Sequence, residues 1–177
     1  MRYHYTESEI KQLLKQIVIL VDTREKENRH ILDFFESKNI KYKEKKLFVG
    51  DYSFFVEKNQ ELNIERDLYF DDVICIERKA SLDELAGNFT ADRDRFESEM
   101  LRGNKLRKFL LIENEQGYND IINHNYRSQY APKSYLGTLF SFQSRYNLDI
   151  NFIRKELSGN FIFSSIYYYF RNYLLYS

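Results

Sequence analysis

Residues 73–83 read VICIERKASLD. An apolar run, Val73 to Ile76, is followed without a break by Glu77, Arg78 and Lys79, and then by Ser81-Leu82-Asp83-Glu84. The first half has the composition of a strand buried in a core, and Ser81 with Glu84 three residues on has the spacing of a capping box. The stretch therefore predicts a core strand, over residues 71–79, that runs out into three charges and then into a helix. Residues two apart in a strand share a face, so Glu77 and Lys79 project together while Arg78 points to the other side.

Outward from this stretch the same pattern recurs. Residues 17–21 (IVILV) form a β-branched run that empties into Asp22-Thr23-Arg24-Glu25, the look of a central strand ending in polar residues. Ile31, Leu32, Phe34 and Phe35 fall at helical spacing. Residues 41–48 and 52–57 predict two strands of a hairpin around Gly50-Asp51, with 58–60 as a loop. Residues 106–113 predict another strand, 117–133 a polar and partly ordered connection, 134–146 a helix, 149–154 a strand and 159–175 a closing aromatic helix. An extra helix precedes the first strand. The order predicts a mixed α/β domain.

The 177 residues suit one domain, and 43% hydrophobic content with 15 Tyr and 15 Phe describes a chain that folds. Lys plus Arg equals Asp plus Glu at 27 each, so any basic surface must be local. Cys75 is the single cysteine, which excludes an intramolecular disulfide, and His4, His30 and His124 are too scattered for a zinc site. The N-terminal stretch lacks a signal-peptide core, and no apolar run is long enough for a membrane helix. A cytoplasmic protein is the expectation.

A carboxylate and an ammonium on one strand face suit phosphodiester hydrolysis: the first can hold a hard divalent cation, and the second can position or activate a water, or neutralise charge on a phosphate. Mg²⁺ asks for one or two carboxylates plus waters and substrate oxygens. Asp22, Glu25, Asp51 and Asp83 are the further acids at strand ends or turns, where functional residues concentrate.

These residues carry a resemblance. Gly50-Asp51, then Glu77-Arg78-Lys79, then Asp83 match the GD…ERKxxxD pattern of the ERCC4-type nuclease domain of the XPF/MUS81/Hef structure-specific endonucleases. Residues 21–25 (VDTRE) resemble that family's VDxRE segment, Arg95-Phe96 with Glu97 and Glu99 its arginine-containing helix, and residues 109–113 (FLLIE) its next strand. The likeness covers residues 15–175. It implies a restriction-endonuclease-like, PD-(D/E)XK core whose mixed sheet is flanked by helices, with Asp22, Glu25, Asp51 and Glu77 around Mg²⁺ or Mn²⁺. Lys79 would serve the attacking water or the scissile phosphate. Arg78 and Asp83 would touch the chemistry or hold the site together, and Arg95 would support DNA or the site. The implied substrate is branched, flapped or forked DNA. The helix-hairpin-helix domain that commonly follows in this family has no counterpart before residue 177, and the composition suggests a bacterial or bacteriophage source.

Rival readings stand beside these. Asp83 in a helix's first turn favours the macrodipole without catalysis. Glu113 reads as structural and Cys75 as core. The basic candidates for DNA contact are Lys41, Lys43, Lys45, Lys46, Arg93, Arg95, Arg102, Lys105, Arg127 and Lys133, each of which also suits plain solvent exposure. Tyr126 and Tyr130 could stack on unpaired bases or fill a loop. Tyr167, Tyr168 and Tyr169 cannot all face one core, which predicts a homodimer through the C-terminal helices. A catalytically silent DNA-binding or partner-docking subunit of the same fold is the alternative function, and an RNA or single-strand nuclease a third.

Overall fold

The computed structural model describes residues 5–176; His4 lies outside them. Helix α1 (Glu7–Leu14) opens on a reciprocal cap, Glu9 N–H donating to the Thr6 hydroxyl and the Glu9 carboxylate accepting from Thr6 N–H at 2.7 Å. Strand β1 (Ile17–Val21), helix α2 (Arg29–Ser37) and strand β2 (Tyr42–Glu44) follow, then β3 (Tyr52–Val56), β4 (Leu68–Tyr69) and β5 (Ile74–Lys79). The second half alternates: α3 (Leu82–Phe89), α4 (Arg93–Arg102), β6 (Arg107–Glu113), α5 (Tyr118–Ile122), α6 (Pro132–Tyr146), β7 (Leu148–Ile153) and α7 (Ser158–Tyr176). Among the described residues no helix is long and apolar enough to cross a membrane.

The sheet runs β2-β1-β3-β5-β6-β7, with β4 paired to β3 off that path. Strands β1 and β2 are parallel, as are β5, β6 and β7, while β3 is antiparallel to both β1 and β5. It follows that β1, β5, β6 and β7 all point the same way. Their C-terminal ends and the N-terminal end of β3 share one edge of the sheet, the edge where open α/β sheets place their ligands.

The expected hairpin of residues 41–48 with 52–57 does not form. Strand β1 lies between β2 and β3, because residues 45–51 do not double back. Leu47 and Val49 are buried, and Leu47 N–H is held at 2.6 Å by the Asp22 carboxylate at the end of β1. The chain crosses the sheet end and enters on the far side of β1. Strand β2 is left as a short edge with exposed Lys43 and Glu44, charges that discourage pairing with another chain. The connection over residues 117–133 contains α5, whose single buried residue, Ile121, anchors it.

Side-chain alternation gives the sheet two main cores, with a smaller cluster of Val18, Leu20, Leu47 and Phe55 behind β1 and β3. Ile17, Ile19 and Val21 of β1, Tyr52, Phe54 and Val56 of β3, and Ile74 and Ile76 of β5 face α1, α2 and α7. Leu110 and Ile112 of β6 and Leu148 of β7 face α3, α4, α5 and α6, where Phe89, Phe96, Tyr135 and Phe142 pack together. Strand β5 is buried along its whole length, charges included. Its residues 74, 76 and 78 belong to the α7 side and residues 75, 77 and 79 to the α4 side.

Candidate active site

The corner before β3 is built by Gly50, whose φ of +77° suits only glycine without strain. A Cβ there would stand 2.9 Å from the Cβ of Cys75, so the corner is pressed onto β5. Asp51 continues the sheet with its backbone: its N–H donates to Ile76 O at 2.9 Å, and its carbonyl accepts from Asp22 N–H at 2.8 Å. Beyond this point β3 has ended. The next ladder donor of β5, Arg78 N–H, takes the Asp51 carboxylate instead, at 2.8 Å. Strand pairing thus places a carboxylate beside Glu77 and Lys79.

On the α4 side, Lys79 Nζ donates to Glu77 Oε1 at 2.6 Å and lies 5.1 Å above the Phe96 ring, with Glu84 Oε1 at 3.7 Å. Both Glu77 and Lys79 are buried. Burial and the charge of Glu77 push the Asp51 carboxyl well above the ordinary carboxylate range. Burial alone would lower the Lys79 ammonium, but Glu77 and Asp51 outweigh it and hold it above its usual value. Glu99 of α4 joins the cluster: burial and Glu77 raise its carboxyl, against the opposing pull of Lys79, Arg102 and the Gly50 N–H. Its place is legible only once Phe96 is known to face β5, since three residues along a helix share a face.

On the α7 side, Arg78 makes a two-pronged ion pair with Glu113, Nε to Oε1 and Nη2 to Oε2 both at 2.8 Å, and its Nη1 reaches Glu25 Oε1 at 2.8 Å. Glu113 also accepts from Ser158 Oγ at 2.8 Å and meets His30 Nε2 at 2.6 Å. Burial would raise Glu113, but these donors hold its carboxyl low. Burial raises Glu25 despite Arg78. His30 and Ser158 come from α2 and α7, too far along the chain for any spacing rule to link them to Arg78.

The residues singled out by the sequence therefore separate. Asp51, Glu77 and Lys79 converge, with Glu25 within electrostatic reach of Glu77 and Lys79. Asp22 accepts four hydrogen bonds, from Arg24 N–H, Nε and Nη2 and from Leu47 N–H. Asp83 turns to the loop before α6, accepting from Arg127 N–H at 2.8 Å and Ser128 N–H at 2.7 Å. Arg93 pairs with Glu97, Arg95 pairs with Asp92 at the surface, and Lys133 is exposed. Among the described residues no three of His, Cys, Asp and Glu are grouped so as to hold an ion by themselves. The Asp51 and Glu77 pair nevertheless suits Mg²⁺ or Mn²⁺, being hard oxygen donors close enough that the charge of Glu77 raises the proton affinity of Asp51.

The ERCC4 domain family matches residues 21–164. XPF from Aeropyrum pernix is similar in structure, with a TM-score of 0.62 at 19% identity over 87% of this chain and 65% of that one. XPF from the same organism in complex with DNA gives 0.60 at 19% identity, over 88% and 65%. The chain thus spans 65% of the length of those chains, and the likeness places it on the restriction-endonuclease-like fold. No curated protein matches by sequence. The match over most of its length shows that this chain belongs to the ERCC4 domain family.

Proposed function

We propose that the chain is a Mg²⁺- or Mn²⁺-dependent DNA endonuclease that hydrolyses phosphodiester bonds at branched, flapped or forked DNA in recombination, repair or replication. The observation that carries the reading is the convergence of half-buried Asp51 with buried Glu77 and Lys79 at the sheet edge, where one ammonium faces several carboxylates. Asp51 and Glu77 would hold the ion, with Glu25 able to join by turning from Arg78. Asp22, its oxygens already engaged, would serve by fixing the loop that carries Asp51. A divalent ion bound there supplies a Lewis acid for the phosphoryl oxygen and lowers the pKa of a bound water.

The chain's own residues do the rest. Lys79, held protonated by its carboxylate neighbours, is suited to neutralising charge on the phosphate and not to removing a proton from water. Glu77 fixes that ammonium, and the Phe96 ring closes the site beneath it. Arg93, Arg95 and Lys133 would meet DNA phosphates. The reading extends to a single nuclease domain across residues 1–177, working in the cytoplasm as a homodimer through its C-terminal helices. The exposed Tyr168, Tyr173 and Tyr176 of α7 supply the apolar surface for that contact.

The test is cleavage of duplex, flap, fork, junction and single-stranded DNA by wild type, Glu77→Ala and Lys79→Ala, with Mg²⁺, Mn²⁺ or EDTA. Loss of one electrostatic stabiliser such as Lys79 should cost about 10²–10³ in rate. Wild-type protein that binds branched DNA and cuts none would favour the catalytically silent subunit; variants that cut as well as wild type would overturn the catalytic assignment.

A further inference from the structure

Phe48 stands three residues before Asp51 and is 70% exposed, although its neighbours Leu47 and Val49 are 2% and 1% exposed. Both neighbours are locked. Leu47 N–H is held by the Asp22 carboxylate, and Val49 packs so tightly on Gly103 that a Cβ there would come within 2.9 Å. The ring is therefore presented outward from a fixed loop. Arg102, which has no ion-pair partner among the described residues, lies over it with its guanidinium 5.9 Å from the ring centroid. Phe48, Tyr69, Leu101, Arg102 and Lys105 line an open cleft of about 620 Å³. Of the two acids there, Asp71 is paired with Lys45, leaving two basic side chains against Asp72.

The cleft and the candidate active site share helix α4, which gives Leu101 and Arg102 to the one and Glu99 to the other. Glu99, which feels the charges of Glu77 and Lys79, precedes Arg102 by three residues, or about 4.5 Å along the helix axis. Phe48 likewise precedes Asp51 by three residues, so the ring and the guanidinium are both carried on segments that reach the site. A nucleotide adjoining a phosphate bound at Asp51 and Glu77 would bring its base to Phe48 and its next phosphate to Arg102 or Lys105.

We propose that Phe48 is a stacking platform for one unpaired nucleobase next to the scissile phosphate, with Arg102 taking the adjoining phosphate. This rests on the nuclease reading. Stacking on an aromatic ring accepts any base but requires the base to be out of its pair, so Phe48 selects DNA with an unpaired nucleotide at the cut and not a base sequence. The cleft is large enough for a nucleoside, and its walls, one aromatic face with a cation above it, match a π-face next to a negative charge.

The experiment uses the full chain and a forked duplex with 2-aminopurine at the first unpaired nucleotide, alongside the fully paired duplex. Wild type should quench the 2-aminopurine on binding. Phe48→Ala should lose the quench and weaken fork binding by about 5- to 150-fold, with duplex binding unchanged, and Phe48→Tyr should restore both. A Phe48→Ala protein that quenches and binds the fork within twofold of wild type would overturn the subsite even if it cuts DNA normally. Wild type that quenches and binds but never cuts would overturn the nuclease reading and leave the subsite standing. Absence of any fork binding would overturn both.

Discussion

Breaking the Arg78–Glu113 pair tests how the charged end of β5 is held. Glu113 and Arg78 side chains are 1% and 3% exposed, so Glu113→Ala leaves a buried guanidinium with Glu25 as its remaining partner. Removing one partner of a buried ion pair costs about 3–5 kcal/mol, a large share of the roughly 5–15 kcal/mol that holds a domain folded. At a urea dependence of about 2 kcal/mol per molar, the midpoint of equilibrium unfolding should fall by about 1.5–2.5 M. Arg78→Met with Glu113→Leu replaces both charges by apolar groups of similar shape and should recover part of that loss, short of what remains where Glu25 loses its guanidinium and where the His30 ring and the Ser158 hydroxyl lose their carboxylate. The Asp51 carboxylate binds the backbone N–H of position 78, which any side chain there leaves in place. The double variant should therefore keep its DNA cleavage within about tenfold of wild type, while Lys79→Ala loses about 10²–10³. A midpoint drop below about 0.5 M in Glu113→Ala would refute the energetic argument built on this network. A folded double variant as inactive as Glu77→Ala would refute the separation of Arg78 from the chemistry.

Stability should be greatest in mildly acidic solution. Asp51, Glu25 and Glu99 are raised by burial and neighbouring charge, so their ionisation costs stability at neutral pH, a cost relieved as the pH falls through those raised values. Glu113 and Asp22, which burial alone would raise, are held low by Arg78 and by Arg24; their contribution is present above the unfolded values of about 4.3 and 3.9 and lost as pH falls through the folded ones. Urea midpoints measured from pH ~8 to ~3 should rise and then fall, and saturating Mg²⁺ should flatten the neutral side; a monotonic rise with pH would contradict the Asp51 shift. Asp83→Asn, which keeps the shape but weakens acceptance from Arg127 and Ser128 N–H, should make residues 123–130 more sensitive to protease while cleavage of DNA falls by less than about tenfold, whereas loss of a metal ligand would cost 10² or more. Gly50→Ala forces a side chain into the left-handed region against Cys75, so destabilisation of about 1–3 kcal/mol is expected with weakened metal binding by calorimetry; an unchanged midpoint would mean the corner relaxes freely.

The sequence exposes those parts of the fold whose cause is local. Residues 17–21 form a strand because every residue in it favours one, and Ser81 starts α3 because its hydroxyl reaches Glu84 N–H at 3.1 Å. The alternation of Glu77, Arg78 and Lys79 follows from the strand period alone, and the two faces it predicts are the two cores observed. The failed hairpin has a non-local cause. Gly50-Asp51 does make a sharp corner, but the strand paired with β3 is decided by Leu47, Val49 and the reach of Asp22 across the sheet end. Glu113 reads as structural, but the network around it, His30 from α2 and Ser158 from α7, depends on helices that meet only in three dimensions.

The distribution of charge along β5 bears on why a cation belongs at this edge. A central strand can carry buried charges only if each finds a partner, because taking an unpaired ion out of water costs several kcal/mol. On the α7 side that condition is met: Arg78 is shared between Glu113 and Glu25, and the second oxygen of Glu113 is held by the same guanidinium. On the α4 side it is not. Asp51, Glu77 and Glu99 are crowded around the single ammonium of Lys79, with Glu84 at its margin, and the carboxyls of Asp51 and Glu99 respond by holding their protons more tightly. A fold shaped for stability alone would have set an arginine or a neutral side chain at position 51 or 99. A surplus of carboxylate oxygen beside a fixed ammonium is what a site needs if it is to admit a divalent ion, balanced by the carboxylates, and then a phosphate, balanced by the ion and the ammonium.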